Sequence, residues 1–192
     1  MKVTTNKKRQ TNFIVDRDDL KFFEYLYAMK SATKKQIKRD MYTHHTDRAL
    51  SQRLDKFIVG NLLTCRLCKQ LRGTYVYSVT KNCFKEYLRG RGDSIVTLRS
   101  DKIYHDLLLV ELRNIFLNSD FVQEYFSENE LISWHNDSEP DKLLRVYSEL
   151  RSDACLSLVK NEKQYYIGVE LEISQKSYDR YKETLDKYYK NP

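Results

Sequence analysis

The chain has 192 residues, 41% hydrophobic and 32% charged, a composition that predicts a folded protein of one or two domains. Its net charge of +7 is unevenly divided: residues 1–100 hold 22 Lys+Arg against 9 Asp+Glu, a net of +13, and residues 101–192 hold 12 against 18, a net of −6. No apolar run approaches the ~20 residues that cross a bilayer, and residues 1–10 lack the apolar region of a secretory signal. We therefore expect a cytoplasmic protein without a membrane partner.

Residues 1–12 are predicted to form a basic, flexible arm, which either adds contacts to a polyanion or remains a solvated tail. The chain also carries four cysteines, Cys65, Cys68, Cys83 and Cys155. They are too few and too irregular for a disulfide framework. Cys65 and Cys68 form a C-x-x-C pair, which supplies only two of the four ligands of a structural zinc site. Cys83 or the His44/His45 pair would have to supply the others, so buried thiols are expected instead.

Residues 17–79 have the pattern of three helices followed by a hairpin. Leu20, Phe23 and Leu26 recur at helical spacing behind an acidic first turn. Thr33 and Gln36 form a T-x-x-Q capping box that opens a short second helix. A third helix starts near Thr46, with Leu50, Leu54 and Ile58 on one face, and ends at Gly60-Asn61.

Two β-like runs follow, residues 62–67 and 74–80, joined by a basic segment that contains Gly73. A hairpin of this kind after the third helix is typical of the wing of a winged helix-turn-helix. A helix over residues 80–88 is expected to close this domain, which we place at residues 13–89. Gly90 and Gly92 then predict a linker over residues 90–101.

The basic charge of this module predicts binding of double-stranded DNA. The third helix would enter the major groove, and the hairpin tip would contact an adjacent phosphate or the minor groove. In the alternative interpretation these charges are only the solvated face of an amphipathic bundle. The predicted DNA-binding residues are Lys34, Lys35, Arg48, Gln52, Arg53, Lys56, Lys69 and Arg72.

The acidic half, residues 102–192, begins with an apolar helix over residues 103–117. Residues 121–130, an aromatic and acidic stretch, are expected to be helical, residues 131–134 to be a short strand and residues 135–141 to be a loop. Apolar runs over residues 154–159 and 165–173 predict a hairpin. Alternation along its second strand places Glu170 and Glu172 on one face, close to Asp153 at the start of the first strand.

These carboxylates have two interpretations. They could converge on a hard divalent cation such as Mg²⁺, which prefers carboxylate oxygens. Alternatively, Glu170 and Glu172 simply face solvent in a half-buried strand, or pair with Lys176 and Arg180 of the following helix.

The chain here resembles a known family. A winged helix followed by His105-Asp106-Leu107, Arg151-Ser152-Asp153-Ala154 and Val169-Glu170-Leu171-Glu172, and then by residues 174–188, looks like the replication-relaxation proteins of plasmids and other mobile elements. That family includes MobC-type mobilisation relaxases. The resemblance covers nearly the whole chain, and its motifs are short and degenerate.

The resemblance implies an α+β protein, with an N-terminal winged helix-turn-helix followed by a small α/β domain similar to an abbreviated PD-(D/E)xK restriction-endonuclease-like fold. By position, the metal ligands would be Glu111, Asp153 and Glu170. Glu172 stands where that fold has a lysine, and Lys176 would supply the missing cation. The second domain also stops at residue 192, before the further strand expected of such a core, so the fold is either shortened or completed by a partner subunit.

The leading hypothesis is a DNA-binding protein of a plasmid or other mobile element, associated with the nucleoid or plasmid, that acts in replication, mobilisation or their transcriptional control. Its second domain would form a homodimer or recruit a mobilisation or replication partner, and the only candidate cofactor is Mg²⁺ or Mn²⁺. The first alternative is a nickase that uses Mg²⁺ or Mn²⁺, with Asp153, Glu170, Glu172 and Lys176 as catalytic residues. The second is a transcriptional repressor unrelated to mobile elements.

Overall fold

The structure is a computed structural model that describes residues 14–88, 98, 102–133, 142–174 and 178–190. Within these ranges the chain is an α+β protein with helices and two small antiparallel three-stranded sheets. The predicted arm, residues 1–12, lies outside the described residues, as does the predicted linker, residues 90–101, except for the buried Leu98. No helix in the described ranges combines the length and the hydropathy needed to cross a membrane.

The first half begins with α1 (Arg17–Met29), β1 (Ala32–Thr33), α2 (Lys34–Asp40) and α3 (Asp47–Val59). Each helix starts at a capping side chain because the first amides of a helix have no partner within it. The Thr33–Gln36 capping box of α2 is present as predicted, and Thr46 caps α3. Beyond α3 it is Asn61, with a φ of 57°, that adopts the left-handed conformation.

The hairpin comprises β2 (Leu63–Cys68) and β3 (Thr74–Val79), and a 3₁₀ turn over Lys69–Leu71 starts the connection. Arg72 and Gly73 reverse the chain with φ angles of 51° and 78°. β3 lies between β1 and β2, so the sheet order is β1-β3-β2 and both pairings are antiparallel. The predicted helix over residues 80–88 is present as α4 (Lys81–Cys83), which continues as a π-helical segment, Phe84–Leu88.

The second half contains α5 (Ile103–Leu117), β4 (Val122–Ser127), α6 (Glu128–Ser133), α7 (Lys142–Leu150), β5 (Ala154–Lys160), β6 (Lys163–Val169) and α8 (Tyr178–Lys190). Its strands form an antiparallel sheet of order β4-β5-β6. The hairpin of β5 and β6 is confirmed.

The prediction for residues 121–134 was wrong in its order of elements. Residues 122–127 form a strand rather than a helix, and residues 128–133 form a helix where the sequence predicted that residues 131–134 are a strand. The strand forms because Tyr125 and Phe126 are buried and pair with Leu156 and Cys155 across the sheet. The helix begins there because Ser127 and Glu130 exchange side-chain to backbone hydrogen bonds, which cap its first turn.

The strand β6 is also shorter than predicted, since it ends at Val169 rather than at Ile173. The ladder with β5 stops at the Ala154–Val169 pair, and the next amide in register, that of Leu171, donates to the Asp153 side chain instead. Glu170 and Glu172 therefore lie in the segment after the strand.

The two halves share one hydrophobic core. Buried side chains of α1 and α3, including Phe23 and Phe57, belong to the same cluster as Val110 of α5 and Leu156 of β5. Polar contacts also join the halves: the Tyr27 hydroxyl lies 2.8 Å from the Ser133 hydroxyl, and the Asn129 amide donates to the Tyr27 carbonyl at 2.6 Å. The two predicted domains thus pack into one body rather than lying apart.

Candidate functional site

The segment from α2 to the hairpin tip presents an exposed cationic surface. Residues 30–72 hold eleven Lys+Arg against three Asp+Glu, a net of +8. Six of the eight predicted DNA-binding residues are exposed, namely Lys35, Arg48, Gln52, Lys56, Lys69 and Arg72. Lys34 is half-buried and donates to the Ser51 hydroxyl at 2.6 Å, a contact that joins α2 to α3. The surface is therefore formed by α2, α3 and the hairpin tip.

Arg53 does not belong to this surface. Its guanidinium forms an ion pair with Asp19, which is 1% exposed, contacts Asp16 at 3.3 Å and lies 5.1 Å from the Phe57 ring centroid. It also donates to the Ile14 carbonyl at 3.0 Å. Helical spacing placed Arg53 on the exposed face of α3, and it did not show that the acidic first turn of α1 lies beside it. We therefore assign Arg53 to the packing of α3 on α1.

An acid at the start of α3 pairs with a lysine of α2. Lys38 of α2 donates to Asp47 at 2.6 Å, and this hydrogen bond and charge lower the pKa of the Asp47 carboxyl. The Lys38–Asp47 pair therefore joins α2 to the first turn of α3, and Arg48 beside it is exposed.

Of the acids predicted to converge, Glu111 lies at the junction of the two halves. It accepts hydrogen bonds from Arg39 at 2.5 Å and from the Gln36 amide at 2.8 Å, both of which belong to α2. Its carboxylate is thus used to pack α5 against α2. The predicted metal group of Glu111, Asp153 and Glu170 is not assembled, and the described residues contain no group of three or more His, Cys, Asp or Glu side chains that could hold a metal ion.

Asp153 lies instead beside His105, a residue that the sequence did not single out as a site residue. The Asp153 carboxylate accepts from the Leu171 amide at 2.7 Å and lies 3.3 Å from His105 Nε2. His105 Nε2 is also 3.0 Å from the Leu171 carbonyl, and Nδ1 is 3.8 Å from Asp106. The sequence signal was the adjacent His105-Asp106 pair at the start of a strongly apolar helix.

The electrostatics of this cluster favour a charged imidazole. The carboxylates of Asp106 and Asp153 raise the pKa of His105 to about 10, against the opposing effect of burial. Burial acts to raise the pKa of Asp153, but hydrogen bonds from His105 and Leu171 and the charges of His105 and Lys30 lower it overall. The cluster therefore fastens the segment after β6 to α5.

The remaining predicted catalytic residues lie near the start of that segment. Glu170 accepts a hydrogen bond from the Tyr188 hydroxyl of α8 at 2.5 Å, and that hydroxyl lies 2.8 Å from the Ser152 hydroxyl. Glu172 is exposed and lies 3.5 Å from the Ser174 hydroxyl. Lys176 lies outside the described residues. The two glutamates therefore contact neighbouring hydroxyl groups.

A small cavity adjoins the histidine cluster. Its lining includes Asp106, Tyr125, Asp153 and the ion pair of Lys30 with Glu128. Asp106 Oδ2 and the Tyr125 hydroxyl are buried and have no hydrogen-bond partner among the described residues. The space open to the centre of a water molecule is about 10 Å³, close to that needed for a single water and too small for a substrate.

No family model matches the chain, and neither a curated protein nor a solved structure shows a significant match to it. Function is therefore inferred from the cationic surface and from the fold that presents it.

Proposed function

We propose that the chain is a double-stranded DNA-binding protein whose N-terminal half is a winged helix. The observation that carries this proposal is the exposed cationic surface on α2, α3 and the hairpin tip. The order of three helices and a hairpin, with β1 added beside β3, supports the winged-helix assignment. A duplex is the polyanion that suits a convex helix flanked by a basic hairpin.

In this proposal α3 enters the major groove. Arg48 and Gln52 are one helical turn apart and exposed, so both can reach base edges from the same face. Lys56, one turn further on, would contact the backbone, as would Lys69 and Arg72 at the hairpin tip. The surface charge would provide most of the affinity and make it strongly dependent on salt.

The biological setting is part of the same proposal. The order of α5, the three strands of the second sheet and α8 supports the resemblance to an endonuclease-like core, and with it to the replication-relaxation family. A role in replication, mobilisation or their control on a plasmid or other mobile element follows from that resemblance. The acidic half would form a homodimer or bind a partner protein, since its charge disfavours the same duplex.

A binding experiment tests the central claim. Replacing Lys56 or Lys69 by alanine should weaken duplex binding at every sequence tested and reduce the slope of log K against log salt by about 0.9 for each lost phosphate contact. Fluorescence anisotropy over a salt series measures both quantities. Lys160→Ala, an exposed lysine in the other half, is the matched control. Unchanged affinity and slope in both variants would remove α3 and the hairpin from the interface.

The geometry gives less support to the nickase alternative, because Glu111 pairs with Arg39 of α2 and the described residues contain no group of carboxylates that could hold a metal ion. Supercoiled plasmid should remain intact with excess protein and Mn²⁺, as followed by agarose gel electrophoresis. Nicking that disappears in Glu170→Ala would establish the nickase instead. Glu170 is exposed, so this variant leaves the core unaltered.

A further inference from the structure

A second feature of the first half is a groove between the first turn of α2, the hairpin and the N-terminal part of α5. Its volume is about 880 Å³. This lies within the ~300–1,000 Å³ typical of sites that enclose small ligands, and a duplex could not enter it. It adjoins the proposed duplex surface, because Lys34 lines the groove and also contacts Ser51 of α3.

The charge of the groove favours an anion. Four cations line it, Lys34, Lys35, Arg39 and Arg72, against one carboxylate, Glu111. Glu111 is already paired with Arg39, so the cations that remain for a ligand are on the side of α2 and the hairpin. Lys35 and Arg72 are both exposed. A phosphate backbone along this side would meet both.

The rest of the lining is aromatic and apolar. Three tyrosines contribute, Tyr75 and Tyr77 from β3 and Tyr104 from α5, together with Leu107. Tyr75 is 57% exposed although it is a large aromatic residue. β1 pairs with Val76 and Tyr77 of β3 and ends there, so Tyr75 has no partner residue in β1. The ring of Tyr75 is thus open to a planar partner.

We propose that this groove binds a short unpaired stretch of DNA where a strand leaves the duplex held by α3. Lys35 and Arg72 contact its phosphates, and Tyr75 and Tyr104 stack on its bases. Cations alternating with aromatic rings are what single-stranded nucleic acid requires, because each base offers a face for stacking and each nucleotide a negative charge. This inference rests on the proposed function for the duplex part only.

The experiment compares four labelled DNAs by anisotropy: a blunt duplex, the same duplex with a 5′ or a 3′ oligo-dT tail, and oligo-dT alone. Wild-type protein should bind one of the tailed duplexes at least about fivefold more tightly than the blunt one. Tyr75→Ala should remove this gain and leave the blunt duplex affinity unchanged, whereas Tyr75→Phe should retain it because the stacking face remains. Tyr104→Ala provides a second variant on a different element.

Tyr189→Ala is the matched control, since Tyr189 is 81% exposed on α8 outside the groove. Equal affinity of the wild type for tailed and blunt duplexes would overturn the inference, as would a tail preference that survives both tyrosine variants. Displacement of the tail by poly-glutamate regardless of Tyr75 would assign the groove to an acidic protein partner instead. Failure of the proposed function looks different, because blunt duplex binding would be absent while binding of oligo-dT still depended on Tyr75.

Discussion

Replacing Arg53 by alanine is expected to lower the free energy of unfolding by about 3 kcal/mol, near the lower end for breaking a buried ion pair. The reason is that Asp19 is 1% exposed and would keep its charge without the guanidinium that compensates it. The same change removes the contact of Arg53 with Phe57 and the hydrogen bond to the Ile14 carbonyl. Urea denaturation followed by circular dichroism measures the loss.

Arg48→Ala is the matched control, since Arg48 lies on the same helix and is exposed. It should change the free energy of unfolding by less than about 0.5 kcal/mol and yet weaken duplex binding. Arg53→Ala should have the opposite profile, with near-normal duplex affinity once the folded fraction is taken into account. A stable Arg53→Ala protein that has lost duplex binding would return Arg53 to the interface.

Replacing His105 by glutamine is expected to have a comparable effect, about 3 kcal/mol, because it leaves Asp106 and Asp153 close together without the imidazolium between them. The clamp on the segment after β6 would loosen as well, since His105 contacts the Leu171 carbonyl. His44→Gln, an exposed histidine beyond α2, should be neutral. A His105→Gln protein as stable as the wild type would show that the cluster does not hold that segment.

The raised pKa of His105 also predicts how stability varies with pH. The folded value is about 10 against an ordinary value of 6.5, so the contribution of His105 is complete below about pH 6.5 and is lost as pH rises through 10. The lowered pKa of Asp153 works in the other direction: its contribution is present above the ordinary value of 3.8 and is lost as pH falls through the folded value. The cluster is therefore most stabilising between about pH 4 and pH 6.5.

Comparison of variants isolates this contribution from other groups that titrate at high pH. The stability difference between the wild type and His105→Gln should be largest near pH 6 and should shrink steadily toward about pH 10. Urea midpoints across that range measure it. A difference that stays constant would mean that folding does not raise the pKa of His105.

Local patterns predicted the first half well because its elements are determined by near neighbours. The Thr33–Gln36 capping box, the four-residue spacing of Leu50 and Leu54 and the turn at Gly73 all act within a few residues of the chain. The second half was harder, since β4 is a strand only because Tyr125 and Phe126 find partners about thirty residues away. The helix α7, residues 142–150, was not predicted.

For the candidate site, periodicity predicted which side chains of α3 are exposed but not which distant acids they meet. Arg53 pairs with an acid of α1, and Glu111 pairs with Arg39 of α2. Both contacts depend on how helices pack, which spacing along one helix does not reveal. The alternation of apolar and polar residues likewise placed Glu170 and Glu172 on a strand. In the structure the Leu171 amide donates to the Asp153 side chain, and the pairing of β5 with β6 ends before the two glutamates. His105 was missed because its importance comes from Asp153, which is distant in the sequence.

The core shared by α1, α5 and β5 has a consequence for amide hydrogen exchange. Tyr27 of the N-terminal half is hydrogen-bonded to both Ser133 and Asn129 of the other half. The N-terminal half therefore cannot unfold completely without exposing buried side chains of the other half. Amides in the centre of β5 and of α1 would then exchange through the same global opening. A duplex held only by α3 and the hairpin would slow both sets of amides by the same factor, although β5 never contacts DNA.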